Sequence, residues 1–208
     1  MAASTRVEGK VRDGFKRPLD LFILLSSHLL LLPLWVFLWM VIPIAIKLDG
    51  RGPVLYPRPA VGKNGRVFKK LKFRTMVWSP KDPGGTYTVS GDPRITRVGR
   101  LLRRTAMDEL PQLINILKGD MSFVGPRAFG VDSHKLRKTQ IPDWEYRVRA
   151  LPGLTSSGRV YSSPDDDGGM LARDLGYINT MSPLLDIKLL FISLWIALKG
   201  GWDHKAKN

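Results

Sequence analysis

The longest uncharged run in the chain, LFILLSSHLLLLPLWVFLWMVIPIAI, extends from Leu21 to Ile46. Its 26 residues exceed the ~20 that a helix needs to cross the hydrocarbon core of a bilayer. A signal peptide does not fit, because the run is too long and follows a polar leader of 20 residues. Pro33, at its midpoint, removes a backbone donor and clashes with the preceding turn, and Ser26, Ser27 and His28 add polar groups upstream. Spanning helices tolerate proline, so the flanks decide the reading. Arg6, Lys10, Arg12, Lys16 and Arg17 precede the run; Lys47, Arg51, Arg58, Lys63, Arg66, Lys69, Lys70, Lys72 and Arg74 follow it. Positive flanks stay cytoplasmic. The segment is therefore expected to enter the bilayer, bend near Pro33 and return to the same face, with a simple spanning helix as the alternative. Trp35 and Trp39 suit either depth.

Beyond Asp49 the chain is rich in Gly and Pro, and GPVLYPRPAVGKNGRVFKKLKFRTM predicts short strands with a hairpin turn at Asn64-Gly65. SPKDPGGTYTVSGDP (79–93) reads as a loop. RITRVGRLLRR (94–104) predicts a helix with Ile95, Val98, Leu101 and Leu102 on one side and Arg97, Arg100, Arg103 and Arg104 on the other. A solvated helix face normally mixes charge signs, so four arginines without an acid point to phospholipid headgroups or a diphosphate ligand. Leu110, Leu113, Ile114 and Leu117 predict a second helix, ended by Lys118 and Gly119. The final apolar stretch, Leu189–Leu198, is too short to span and reads equally as a core helix or as one lying in the interface.

Composition narrows the partners. Lys plus Arg number 33 against 18 Asp plus Glu, a net charge of +15, which implies an anionic partner: nucleic acid, an anionic membrane surface or a phosphorylated substrate. There is no cysteine, which excludes disulfides, thiolate metal sites and cysteine catalysis. His28, His134 and His204 lack metal-ligand spacing.

Against this excess of positive charge stands TAMDELPQLINILKGDMSFVGPR (105–127), with adjacent acids at Asp108 and Glu109. Pro111 is tolerated only in the first turn of a helix, so the pair belongs at a helix N-terminus or in a short turn before it. Acids there can simply offset the helix dipole. The surroundings support more: Arg103 and Arg104 lie just upstream, Arg127 downstream, and Lys72 and Arg74 in KFR. Folded together, these cations would depress a carboxylate pKa and hold phosphate oxygens. An ionised Asp so placed can bind a divalent metal or attack phosphorus. The residues alone thus indicate a membrane-bound enzyme acting on phosphates. A membrane-tethered binder of nucleic acid or anionic lipid also fits the charge, but leaves the acid pair unexplained. DGGMLAR (167–173) has the wrong spacing for a lipid phosphotransferase of the CDP-alcohol type, which would also need several spanning helices.

KRPLDL, the apolar run, KLDGRGPVLY, VGKNGRVFKKLKFRTM, DPRITRVGRLLRRTAMDELPQLINILKGDMSFVGPR, PGLT and LLDIKLL occur in that order. Together they resemble the bacterial monotopic phosphoglycosyl transferases, the polyprenyl-phosphate sugar-phosphate transferases, strongly over 16–130 and loosely over 150–200. The resemblance implies a helix-rich α+β fold: residues 1–50 form a leader and a re-entrant helix-break-helix, and residues 51–208 a cytosol-facing catalytic domain with interfacial helices and a small strand region. It implies transfer of a sugar phosphate from a UDP-sugar to polyprenyl (undecaprenyl) phosphate, with Mg²⁺ and release of UMP, at the cytoplasmic face of the bacterial inner membrane, on an anionic lipid surface and without nucleic acid. Asp108 takes the role of nucleophile and metal ligand, and Glu109 that of positioning, metal or proton handling. Arg103, Arg127, Lys72 and Arg74 take phosphate binding. The chain departs from the family pattern in three places. Leu32, not Ser, precedes Pro33; SSGRVYSSPDDDGG follows LPGLT, leaving Arg159 without an assigned role; and in RDLGYINTMSP only Tyr177 remains of the family's paired tyrosines, leaving Asp174 with a structural or a functional role open.

Overall fold

The computed structural model describes residues 11–79, 92–162 and 166–199. The leader residues 1–10, most of the expected 79–93 loop and His204 lie outside the described residues.

The apolar run becomes two helices, α1 (Lys16–Leu30) and α2 (Leu32–Leu48), bent by 89° at Leu31. Among the described residues no single helix is long and apolar enough to cross a membrane. Pro33 sits in the first turn of α2, where no donor is required, so the break falls just ahead of it. Side chains secure the corner. Trp35 Nε1 donates to the Ser27 carbonyl at 3.1 Å, Ser27 Oγ to Leu24 O at 3.0 Å, and the His28 ring stacks on Trp35 at 4.4 Å. Pro43 lies within α2, which continues past it.

Only one stripe of α1 is buried: Lys16, Asp20 and Leu24, four residues apart. KRPLDL is thus an anchor. Lys16 Nζ bonds Val124 O, Tyr177 OH and Asp186 Oδ2, each at 2.5 Å. Arg17 caps the last carbonyls of the helix Gln112–Lys118, at Ile116 and Leu117. Asp20 accepts from Ser122 Oγ and Phe123 N. The outward sides of both helices, including Phe22, Leu25, Leu29, Phe37, Met40 and Ile44, are exposed.

β1 (Leu55–Val61) and β2 (Val67–Phe73) form the expected antiparallel hairpin. Its turn places Asn64 at φ 55° and Gly65 at φ 77°, the left-handed conformations an Asn-Gly pair accepts. α3 (Arg97–Arg104) starts later than expected, capped by Thr96, while Ile95 bridges Met76. Leu101 is exposed beside Arg97, Arg100 and Arg104, and Arg103 turns inward. At 100° per residue, Leu101 lies closer to Arg97 and Arg104 than to Leu102; Leu102 is buried in the core, and Val98 packs against the same cluster half-buried. α4 (Gln112–Lys118) likewise buries Leu113, Asn115 and Ile116 and exposes Leu117; Gly119 closes it at φ 83°.

β3 (Ser122–Val124) and β4 (Gly153–Thr155) are parallel and bring GPR beside PGLT. Gly125 and Gly153 are required there: a Cβ on Gly153 would lie 2.1 Å from Gly125 N. α5 (Val131–Gln140), α6 (Ser157–Tyr161), α7 (Asp167–Thr180) and α8 (Pro183–Leu198) complete the body. Trp144, Leu175, Tyr177 and Leu189 center its main core. α8 buries Asp186, Leu189 and Ser193 and exposes Leu184, Phe191, Leu194, Trp195 and Leu198. The fold is therefore helix-rich α+β, with two small sheets among the described residues.

Candidate active site

Three segments distant in sequence converge on the acid pair. Asp108 and Glu109 lie in a 3₁₀ turn, Met107–Glu109, between α3 and α4. The turn is launched by Ala106 at φ 57°, a left-handed conformation that an alanine adopts only at a cost. Both acids are largely buried. Lys72, on β2, bridges them, its Nζ lying 3.1 Å from Asp108 Oδ2 and 2.8 Å from Glu109 Oε1. Asn115 holds that strand to α4: its Oδ1 accepts from Leu71 N at 3.0 Å and its Nδ2 donates to Lys69 O at 2.9 Å. The register between Lys72 and the acids is thereby set.

Arg159, at the heart of α6, donates from Nη1 to Glu109 Oε2 at 2.9 Å. Burial alone would raise the Glu109 pKa; Arg159, Lys72 and Arg127 outweigh it and hold the carboxyl well below its usual value. Arg127 forms the fourth side. The charge of Arg159 and then burial lower its pKa to about 10, while Glu109 and Asp108 act the other way. Among the described residues its guanidinium makes no hydrogen bond.

Behind the pocket lies a supporting ion pair. Asp174 on α7 accepts from Arg147 Nε at 3.0 Å and Nη2 at 2.6 Å, and from Gly158 N at 3.2 Å. Arg147 also donates to the Arg127 carbonyl, and the Arg127 N–H points at Asp174. Gly158 packs so tightly that a Cβ would lie 2.7 Å from Met170 Cγ. This pair positions the backbones that carry Arg127 and Arg159. Asp174 is completely buried, and burial raises its pKa.

Of the sequence-derived candidates, the fold gathers Asp108, Glu109, Lys72 and Arg127. Arg103 is directed elsewhere, its Nε 2.8 Å from Thr75 Oγ1 and its charge reaching Asp92. Arg74 is buried at the end of α2, where it donates to the carbonyls of Ile46, Gly50 and Arg51. There it caps a helix end. Arg159 enters the site with only the SGR triplet to signal it, and Asn115 and Arg147 carried no local signal.

The donor set accommodates Mg²⁺ in one way. Among the described residues no group of three or more acidic or histidine side chains is placed to hold a metal ion, and Lys72 already engages one oxygen of each acid. Asp108 Oδ1 has no partner there. A hard cation held by one carboxylate and completed by substrate phosphates fits such a set.

Residues 11–200 match the family model described as bacterial sugar transferase. The chain is similar to the exopolysaccharide production protein PSS of Rhizobium leguminosarum bv. phaseoli, with 38% identity over 85% of this chain and 91% of that one. It is 40% identical to the undecaprenyl-phosphate glucose phosphotransferase of Komagataeibacter xylinus, over 83% of this chain but only 34% of that protein. It is 37% identical to the UDP-glucose:undecaprenyl-phosphate glucose-1-phosphate transferase of Caulobacter vibrioides, over 86% of this chain and 67% of that protein. With the acid pair, its cations and the whole described body inside the matched region, the chain belongs to the bacterial sugar transferase family.

Proposed function

We propose that this chain transfers a sugar phosphate from a UDP-sugar to polyprenyl (undecaprenyl) phosphate and releases UMP, through a covalent aspartyl-phosphosugar on Asp108. One observation carries the reading: Asp108 and Glu109 stand in a pocket ringed by Lys72, Arg127 and Arg159, with Asp108 Oδ1 uncommitted. The relatives named for transfer to undecaprenyl phosphate support the substrate class.

The chain's own residues account for each step. Arg127 and Arg159 hold the donor diphosphate and spread its charge. Lys72 fixes the Asp108 carboxylate, and Oδ1 attacks the phosphorus that bears the sugar. The bond from that phosphorus to the bridging oxygen breaks, and UMP departs with the electron pair. An oxygen of polyprenyl phosphate then attacks the same phosphorus and displaces the Asp108 carboxylate. A monoester phosphate has its second pKa near ~6, so the acceptor needs no general base. Glu109, held ionised by its cations, balances Lys72 and Arg159 and keeps both aimed at the pocket. Mg²⁺, held by Asp108 and phosphate oxygens, would supply further charge neutralisation when bound.

In this reading α1 and α2 form a re-entrant hairpin in the bacterial inner membrane, with the site on its cytoplasmic face. The 89° bend and the exposed apolar sides of α1, α2 and α8 support that placement. The exposed Arg97, Arg100 and Arg104 face of α3 would lie on anionic headgroups. A non-catalytic binder would need neither the acid pair nor its pocket.

A UMP-release panel across UDP-sugars with undecaprenyl phosphate tests the function. Turnover with at least one sugar is expected, and Asp108→Asn should abolish it. Sugar phosphate labelled on phosphorus should be trapped on the wild-type protein and not on Asp108→Asn. Turnover without trapping would replace the covalent route by direct transfer.

A further inference from the structure

We propose that Lys70 is a substrate-phosphate residue of this pocket, a fourth cation that contacts the diphosphate of the sugar nucleotide from the Arg127 side. The proposal rests on the reading of the site as a diphosphate pocket and assigns a residue that reading does not use.

Lys70 and Lys72 are two residues apart on β2 and share one face of the hairpin. Lys72 lies on the acid pair. Lys70 Nζ donates to the carbonyl of Ala128 at 2.9 Å, one residue from Arg127. An ammonium carries three donors, and among the described residues Lys70 uses this one. Among the described residues no carboxylate forms a salt bridge with it. Glu109, the nearby acid, is already bonded to Lys72 and Arg159. The anchoring of Leu71 N and Lys69 O by Asn115 fixes the strand on both sides of Lys70, so its side chain cannot leave by a shift of the backbone.

The charge count is the second support. Lys70, Lys72, Arg127 and Arg159 face Asp108 and Glu109, which leaves two positive charges uncompensated whenever Lys70 is protonated. A sugar nucleotide's diphosphate carries one ionised oxygen on each phosphorus. Burial, then the charges of Lys72, Arg127 and Arg159, push the Lys70 ammonium well below its ordinary pKa, with Glu109 opposing. A lysine in that position weakens the empty pocket, and an arriving phosphate relieves the repulsion. A mere tether for the Ala128 carbonyl would not need the charge, since a neutral amide donates as well.

Two variants divide charge from tether: Lys70→Met loses both, and Lys70→Gln keeps a donor for Ala128. Calorimetric titration of inorganic pyrophosphate into the solubilised full chain reads binding, and steady-state UMP release reads KM and kcat. Both variants are expected to weaken pyrophosphate binding and raise the donor KM about tenfold, the worth of one charge-assisted hydrogen bond, with kcat changed less. Wild-type affinity and KM in Lys70→Gln would reduce the residue to a tether and overturn the proposal, as would wild-type behaviour of Lys70→Met. Asp108→Asn should still bind pyrophosphate while releasing no UMP. A wild-type chain that neither binds pyrophosphate nor releases UMP would overturn the proposed function and this inference together; normal wild-type turnover with unaffected Lys70 variants overturns this inference alone.

Discussion

Buried charge occurs here in two forms. At Lys16–Asp186 and Arg147–Asp174 the side chains are at most 3% exposed, and each cation meets its carboxylate inside closed packing. At the acid pair Lys72 is 25% exposed and Asp108 11%, and cations outnumber carboxylates. The first form is balanced and sealed, and every donor of Lys16 is spent on protein. The second is unbalanced and open, and Arg127 and Lys70 keep donors in reserve. Sealed pairs fix where elements sit. The open group is where the proposed function places the substrate's phosphates.

The sharpest way to separate the two is to remove one charge from each. Asp108→Asn should lower turnover by about 10⁴-fold, as expected for a nucleophile, with little change in the unfolding midpoint; a UMP-release assay and a thermal melt check both halves. Lys16→Met should do the reverse, leaving Asp186 buried without its cation and costing roughly 3–5 kcal/mol of stability, read by denaturant unfolding in detergent. Protein that remains folded should retain its chemistry. Asp174→Asn should fall between them: loss of about 2–4 kcal/mol together with a raised donor KM, because the backbones carrying Arg127 and Arg159 lose their common anchor.

Smaller effects probe the open group and the surface. Arg127 has its pKa lowered to about 10, so pyrophosphate affinity should fall as pH rises through that value, read by titration calorimetry. Folding stability moves oppositely. A cation whose folded pKa is depressed destabilises the fold below that pKa, and the penalty is relieved as pH rises from there toward the ordinary arginine value. Replacing Arg97, Arg100 and Arg104 by Gln should cost about 1 kcal/mol per residue in binding to vesicles containing anionic lipid, as measured by flotation, and leave donor binding unchanged. An equal loss on neutral vesicles would refute the headgroup role of α3.

Much of the architecture was legible in the chain. The Asn64-Gly65 turn, the Gly119 cap, the interruption of the apolar run and the acid pair ahead of a helix are local features, governed by backbone sterics and by a few adjacent residues. The break came at Leu31, ahead of Pro33, because proline disturbs the turn before it. Helix faces were less legible. Leu101 and Leu117 carry the apolar period but find no partner in the body, whereas Asn115 is buried because its amide completes the backbone bonding of β2.

Residue order, composition and local pattern therefore determined which elements form, that a long apolar run breaks into two helices, and that Asp108 and Glu109 lie in a turn ahead of a helix. Tertiary structure alone decided which cations those are. Arg74 went to cap α2 and Arg103 to Thr75, while Arg159, 50 residues from Glu109, came to its carboxylate. A basic side chain looks the same wherever it lies in a sequence. Its task depends on which carbonyl or carboxylate the packing of distant elements brings within hydrogen-bond reach, and no local pattern encodes that distance.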